Sequence, residues 1–317
     1  MHQFLDFEKT ISILQGKIED LRLISSGDGI NVGSEISKLE EQLEKNIVNT
    51  YQNLTAWDKV KVARHPQRPH ASYIISSIID DWQILAGDRS YAEDNSILGG
   101  IGRFNGKSIM VIGIEKGNTT EKRIFHNFGM VRPEGYRKAR RLIEIAEKFK
   151  IPILTLIDTP GAYPGKGAEE RGQAEAIAKC IQKSLTSTVP MISIITGEGG
   201  SGGAVALATG DIILMMEHSI YSVISPEGCS SILWRSASKA DIAANTLKLT
   251  AQDLYKLKII DNIIPEPIGA AHRDPNGMIK FLKEEVKTYL EKLLSLSQSD
   301  LIGKRREKFL KMSFLNN

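Results

Sequence analysis

Cysteine is almost missing from this sequence: Cys180 and Cys229 are the two among 317 residues. Without a Cys-x-x-Cys pair the chain has no structural zinc site of its own making, and without more cysteines it has no disulfide framework, which is the usage of a reducing compartment. Histidine is sparse as well. His2, His65, His70, His126, His218 and His272 show no His-x-x-x-His or Glu-x-x-His spacing, so each reads as structural or surface and no metal site is expected. Neither charge sign dominates. Lys and Arg number 41 against 38 Asp and Glu, a net +3 that argues against a nucleic-acid partner. No apolar run approaches the ~20 residues of a membrane helix. Met1-His2-Gln3-Phe4-Leu5-Asp6 has neither the basic start nor the apolar stretch of a secretory leader. The expectation is a cytoplasmic protein with no membrane contact. The basic stretch Lys304-Arg305-Arg306-Glu307-Lys308 reads as a solvated helix face.

What is present is ordinary in composition, 41% hydrophobic and 25% charged, and long enough for one large domain or two small ones. Phe7, Ile11, Leu14, Ile18 and Leu21 step by four and three, the stripe of an amphipathic helix, which Ser25-Ser26-Gly27-Asp28-Gly29 should break. Ser34 can cap a second helix striped by Ile36, Leu39, Leu43 and Ile47. The pair suggests an antiparallel hairpin, either packed on the main domain or serving as an oligomer contact. Further helices are expected at Thr55–Arg64 and Ala71–Leu85. Asn105-Gly106 then reads as a hairpin turn before a strand at Ser108–Glu115. Beyond it strands and helices alternate: a helix from Pro133 to about Lys150, a strand Ile153–Ile157, a helix Glu169–Leu185, a strand Met191–Ile195, a helix from Ala204, and a strand Ile212–Met216. Helices follow at Ser225-Pro226-Glu227, at Thr250-Ala251-Gln252-Asp253 and over about Asn276–Ser295. This is the pattern of an α/β core with a covered sheet. The alternation does not separate a doubly wound sheet from other α/β architectures.

The richest segment is Thr196-Gly197-Glu198-Gly199-Gly200-Ser201-Gly202-Gly203-Ala204, with five glycines in seven positions from Gly197. Coming after an apolar run, it reads as strand, tight glycine turn, helix start. Bare backbone N–H groups there suit negative charge, either a bound phosphate or an oxyanion formed during reaction. Gly197-x-Gly199-x-x-Gly202, with Glu217 twenty residues on, matches a dinucleotide fingerprint. However, several strands precede it, and Gly200 and Gly203 are left unexplained. Asp158-Thr159-Pro160-Gly161 and Gly106-Lys107-Ser108 imitate pieces of a nucleotide triphosphatase, but Ile101 stands where the loop needs glycine. Gly199-x-Ser201-x-Gly203 matches a nucleophile elbow, with His218 and His272 available downstream. Cys229 reads as a small buried residue and Glu198 as a solvated carboxylate.

Four motifs in order carry a resemblance: Asn127-Phe128-Gly129-Met130-Val131-Arg132-Pro133-Glu134-Gly135-Tyr136, Asp158-Thr159-Pro160-Gly161-Ala162-Tyr163-Pro164-Gly165, Gly197-Glu198-Gly199-Gly200-Ser201-Gly202-Gly203-Ala204 and Tyr221-Ser222-Val223-Ile224-Ser225-Pro226-Glu227-Gly228. Together they closely resemble the carboxyltransferase α subunits of bacterial acetyl-CoA carboxylase over nearly the whole chain. The resemblance implies a crotonase-like β-β-α spiral core at 87–264, an N-terminal helical extension at 1–86 and a C-terminal helical segment at 265–317. It implies transfer of a carboxyl group from carboxybiotin, borne on a biotin carboxyl carrier protein, to acetyl-CoA, giving malonyl-CoA for fatty acid synthesis. A β subunit bearing a zinc ribbon would complete the enzyme as an α2β2 assembly, and this chain alone would be inactive.

Both half-reactions put negative charge on oxygen, where preorganised backbone donors act. The biotin nitrogen freed by decarboxylation can take the methyl proton itself, so no acid–base pair need stand in the motif. By the same resemblance, Gly202 and Gly203 are the expected N–H donors to the biotin ureido oxygen. Gly199, Gly200 and Ser201 shape the turn, Gly129 and Met130 offer a second donor turn, and Gly161, Ala162 and Tyr163 form an active-site loop. Three rivals stay open: a related biotin-dependent carboxyltransferase or decarboxylase acting on another acyl-CoA, a non-catalytic assembly subunit, and a nicotinamide enzyme.

Overall fold

Eight strands form one sheet in a computed structural model that describes residues 3–28 and 33–312. They are β1 (Asp80–Ile84), β2 (Ile97–Phe104), β3 (Lys107–Ile114), β4 (Ile153–Thr159), β5 (Met191–Gly200), β6 (Ile212–Met216), β7 (Ile220–Ser222) and β8 (Asn262–Ile264). Their order is β1-β2-β3-β4-β5-β6-β8, with β7 pairing the end of β5. The β1–β2 and β2–β3 pairs are antiparallel and the rest parallel. Asn105 and Gly106 turn the β2–β3 hairpin with φ of 48° and 77°, the two left-handed residues that a type I′ turn requires.

The parallel strands bury both faces, so their residues alternate between two apolar layers. Met110, Ile112, Ile153, Ile157, Met191, Ile195, Ile213 and Met215 meet the crossover helix Pro133–Phe149 through Tyr136, Leu142 and Ile143, and the helix Gln173–Thr186 through Cys180. Val111, Leu154, Leu156, Ile192, Ile194, Leu214 and Met216 face Ile74, Ile75 and Ile78 of the helix Ala71–Ile78 and Met278, Leu282, Val286 and Leu290 of the helix Pro275–Leu294.

Several elements depart from expectation. The helix from Ala71 stops at Ile78, and Asp80–Ile84 becomes an edge strand. Glycines on β2 admit it: a Cβ on Gly100 would lie 2.2 Å from Gln83 O, and one on Gly102 2.3 Å from Ile79. Residues 71–84 therefore pack into the core cluster and extend the sheet. The helix expected over Glu169–Leu185 is split by Gly172 (φ 78°) into Lys166–Glu169 and Gln173–Thr186. A further helix, Gln298–Lys311, follows the expected last one and is capped by Ser297. Its basic stretch is solvated at Lys304, Arg306 and Glu307 but turns inward at Arg305 and Lys308. Arg305 is buried, donating to Asp211 and to the carbonyls of Ser184, Ser187 and Val189, while Lys308 donates to Gly210 O, Asp211 O and Asp261.

The N-terminal hairpin is antiparallel. Arg22 meets Glu40 at 2.6 Å near one end, and Tyr51 donates to Glu8 at 3.0 Å at the other. Its first helix runs through the expected break at Ser25–Gly27 to Asp28, and its second starts at Gly33, so Ser34 is inside rather than capping; Gly29 lies outside the described residues. The base of the hairpin packs on the chain's own core. Ile11 and Tyr51 cluster with Val62 and Ala270, and Arg273 holds Glu8 at 2.7 Å. Among the described residues no helix is long and apolar enough to cross a membrane.

Candidate active site

The pairing of β4 with β5 is broken at one place. Ile157 faces Ile195, but Thr159 faces Gly199, so Asp158 alone stands opposite Thr196, Gly197 and Glu198. The surplus residues make a bulge. The Asp158 carboxylate enters it, and Oδ1 accepts the Glu198 N–H at 2.9 Å. Gly197 is required there: a Cβ would lie 2.6 Å from that same oxygen.

Cations close around the bulge. Lys116 Nζ lies 2.7 Å from Asp158 Oδ1 and 3.3 Å from Glu198 Oε2, and His70 Nδ1 lies 3.3 Å from Asp158 Oδ2. Arg64 bridges Glu198 and Glu227, each at 2.6 Å. Burial alone would raise the Asp158 carboxyl, but the Lys116 ammonium, His70 and the Glu198 N–H hold it well below the usual carboxylate range. Burial likewise opposes charge on Lys116, yet the two carboxylates raise it above an ordinary lysine. Both stay ionised at neutral pH. A cavity of about 180 Å³ lies against this cluster, lined by Arg64, His70, Lys116, Arg123, Phe128 and Asp158 among others. Arg68 braces the bulge from behind. Its Nε donates to Thr196 O at 2.7 Å, and its other nitrogens grip Glu266 in a fully buried pair.

Past the bulge, β5 continues through Gly200, where the sequence suggested a tight turn from Gly197 onward. Glu198, Gly199 and Gly200 pair with Ile220, Tyr221 and Ser222 of β7. The turn itself is Ser201, at φ 52°, leading into a short helix Ser201–Val205. Gly202 and Gly203 fall in its first turn, whose N–H groups have no acceptor four residues back within the helix. Gly202 is half-exposed, and a Cβ on it would meet nothing nearer than Ile177 at 3.9 Å.

The loop after β4 lies against this turn. A Cβ on Gly200 would fall 2.2 Å from Pro160 O, and one on Gly203 2.6 Å from the Ala162 nitrogen, so the two backbones touch only because both glycines are bare. Thr159 Oγ1 accepts the Gly161 N–H at 3.0 Å and lies 2.7 Å from Gly129 O, joining a third loop to the other two. In that third loop Asn127, Phe128 and Gly129 are all left-handed, with φ of 49°, 56° and 74°. Non-glycine residues held this way carry strain of about 1–2 kcal/mol each, which collects at functional sites. Gln173 Nε2 donates to both Val131 O and Tyr163 O, and the Arg132 guanidinium lies 4.1 Å from the Tyr163 ring centre.

The fold thus gathers Gly129, Met130, Gly161, Ala162, Tyr163 and Gly199–Gly203 into one region. It also corrects several of their readings. Gly129 N–H is taken by His126 O and Met130 N–H by Asn127 O, so that loop offers no free donor pair. Glu198 is buried and doubly ion-paired, not solvated. Gly197 and Gly199 lie within a strand, and Glu217 accepts the Glu266 N–H, which removes the dinucleotide reading. His218 and His272 pack around Tyr51, away from Ser201, so the elbow has no histidine partner from them. Arg64, His70, Lys116 and Gln173 were not singled out from the sequence. Each sits in an ordinary helix or loop; what marks Arg64, His70 and Lys116 is their convergence on the bulge, and what marks Gln173 is its bridging of Val131 O and Tyr163 O.

The comparisons with known proteins agree with one another. The family model described as acetyl co-enzyme A carboxylase carboxyltransferase-like matches residues 4–313. The acetyl-coenzyme A carboxylase carboxyl transferase subunit alpha of Paramagnetospirillum magneticum is 57% identical, and that of Gluconacetobacter diazotrophicus 55%, each over 98% of both chains. Among solved structures, the transcarboxylase 12S hexamer with methylmalonyl-coenzyme A bound aligns with a TM-score of 0.56 at 18% identity, over 70% of this chain and 42% of that one. A Pseudomonas malonate decarboxylase hetero-tetramer in complex with coenzyme A aligns at 0.55 and 13%, over 69% and 91%. These last two show the fold, and it is the crotonase-like α/β fold.

Proposed function

The chain belongs to the acetyl-CoA carboxylase carboxyltransferase family, with the α subunits, and from that premise we propose that its Gly199–Gly203 turn is the part that holds developing negative charge during carboxyl transfer. The activity is biotin-dependent carboxyl transfer to acetyl-CoA, giving malonyl-CoA, a step of fatty acid synthesis. The observation that carries the assignment of the turn is its bareness: Gly200 and Gly203 press on the Pro160–Ala162 backbone while Gly202 opens on free space.

That geometry suits a flat, polar ring, because no side chain stands over the N–H groups. When bound, carboxybiotin supplies the carboxyl group and its ureido oxygen gains negative charge. The Gly202 and Gly203 N–H groups then serve as fixed donors to that oxygen; a single such donor is typically worth about 3 kcal/mol in the transition state. Thr159 and Gln173 hold the three loops in register, so little reorganisation is needed as charge moves. Gly161, Ala162 and Tyr163 form the opposing wall. Gly129 and Met130 shape the third loop, their N–H groups tied to His126 O and Asn127 O and their carbonyls accepting from Thr159 and Asn127.

The family name implies a multi-subunit enzyme. In our reading the partner is a zinc-ribbon β subunit in an α2β2 assembly, the biotin arrives on a separate carrier protein, the thioester oxyanion is held mainly by β, and the complex works in the cytoplasm. The test is to mix the purified chain with its β partner and follow malonyl-CoA-dependent carboxylation of free biotin, the reverse reaction. Activity in the mixture and in neither subunit alone supports this reading. Equal activity in the isolated chain, or none in a formed complex, would overturn it.

A further inference from the structure

We propose that Asp158 is a positioning residue for the glycine turn: its carboxylate fills the gap where β5 bulges away from β4 and thereby sets where Gly202 and Gly203 lie. The inference rests on the function proposed for that turn. Below the bulge the strands are in register at Ile157 and Ile195, and above it at Thr159 and Gly199. Between them the ladder cannot close, because one residue faces three. Asp158 substitutes for the missing strand, accepting the Glu198 N–H that would otherwise be buried without a partner.

What lies beyond is stiff. Glu198, Gly199 and Gly200 are tied to β7 residue by residue, so a tilt at Glu198 is carried to Ser201 and into the turn. The carboxylate is itself held from independent elements: Lys116 just after β3, and His70 at the N-cap of the helix Ala71–Ile78. Gly197 completes the fit by leaving space for it. With both oxygens engaged and 2% of the side chain exposed, Asp158 is in no position to accept a proton from a substrate. It acts through the backbone it aims.

The test uses the assembled α–β enzyme, with kcat and KM for malonyl-CoA measured in the reverse reaction. Asp158→Ala removes the acceptor and should lower kcat tenfold or more, approaching the ~100-fold typical of losing an oxyanion donor, with KM within about twofold. Asp158→Asn should recover most of that loss, to within about threefold of wild type. Its amide oxygen can still accept from Glu198 and Lys116, and its NH2 can donate to the other His70 tautomer. Gly197→Ala pushes the carboxylate out of the bulge without altering it, and should reproduce the kcat loss of Asp158→Ala. The double variant should be no worse than either single one.

If Asp158→Ala fails to assemble, Gly197→Ala decides alone. Unchanged kcat in the variants that assemble, a change confined to KM, or an Asn variant as poor as Ala would overturn the proposal. Wild-type activity in the same assay judges the proposed function separately. A readout free of turnover is amide exchange in the full chain: protection of the Glu198 N–H, which the Asp158 carboxylate accepts, should fall at least tenfold in Gly197→Ala, and unchanged protection would count against the inference.

Discussion

Gly202→Ala separates stability from activity at a single carbon atom. In the structure a Cβ at this position meets only Ile177, at 3.9 Å, an ordinary contact. The backbone there is helical and not among the left-handed glycines, so alanine fits without strain. Replacing glycine by alanine in a helix stabilises by roughly 0.5–1 kcal/mol. In a chain of this length that raises Tm by about 1 °C. The folded protein should thus be slightly more stable, with its N–H donor intact. Yet the new methyl occupies the space through which a flat ring must approach the turn. Turnover of the assembled enzyme should fall at least tenfold, since a reacting group displaced by about 1 Å loses on the order of 100-fold. The assay is paired: thermal melting of the chain, and malonyl-CoA-dependent carboxylation of free biotin by the complex. A variant as active as wild type would show that no reactant comes close to Gly202, and the charge-holding role of the turn would fall with it.

Other perturbations act elsewhere in the fold. Gly203→Ala should behave in the opposite way, losing stability as well as activity, because its Cβ would lie 2.6 Å from the Ala162 nitrogen and backbone must shift to admit it; an unchanged Tm would refute that packing. Arg305→Ala strands the buried Asp211 carboxylate and three carbonyls and should cost about 3–5 kcal/mol, read as a fall in the urea midpoint at constant m. A drop below 1 kcal/mol would restore the view of that helix as a solvated face.

Acid should loosen the junction with the N-terminal hairpin. His272 stacks on His65 with ring centres 3.9 Å apart, and its pKa is held down to about 2 by burial first, then by His65, Arg68 and Arg273. Above pH 6.5 the ring is neutral in both the folded and unfolded chain, so it does not affect stability. Below that value the unfolded chain takes up a proton that the folded one refuses, and stability falls by about 1.4 kcal/mol per pH unit, roughly 2 kcal/mol by pH 5. Buried His65 and His218 are shifted in the same direction and add to the slope, while Glu266, held at about 2 against burial by Arg68, adds its share below its ordinary value of 4.5. Urea midpoints at pH 7.5 and 5 should differ less in His272→Asn than in wild type; equal differences would refute the assignment.

Local patterns were legible from the chain because they are short-range. Asn105-Gly106 can turn only one kind of hairpin, Pro133 and Pro226 open helices, and Thr250 caps one through Asp253, all as read from neighbouring residues. The glycine run marked the site for a similar reason, since bare backbone is a local property. Its shape was not local. Gly197 looked like part of a turn, and it is a strand residue whose missing side chain makes room for the carboxylate of Asp158, distant in sequence on β4.

The order of residues alone determined the alternation of strands and helices, the two apolar faces of each parallel strand, and the family to which the four motifs belong. Tertiary structure decided which charges are paired and buried. Glu198 and Arg305 carry nothing in their neighbourhoods to distinguish them from solvated side chains; burial follows from what the sheet and the last helix bring against them. It also decided that 80–84 is a strand, because the glycines of β2 that admit it act across the sheet and not along the chain. Propensity is a sum over neighbours in sequence, whereas ion pairing, bulges and edge pairing depend on neighbours in space, and these come into being only when the chain closes on itself.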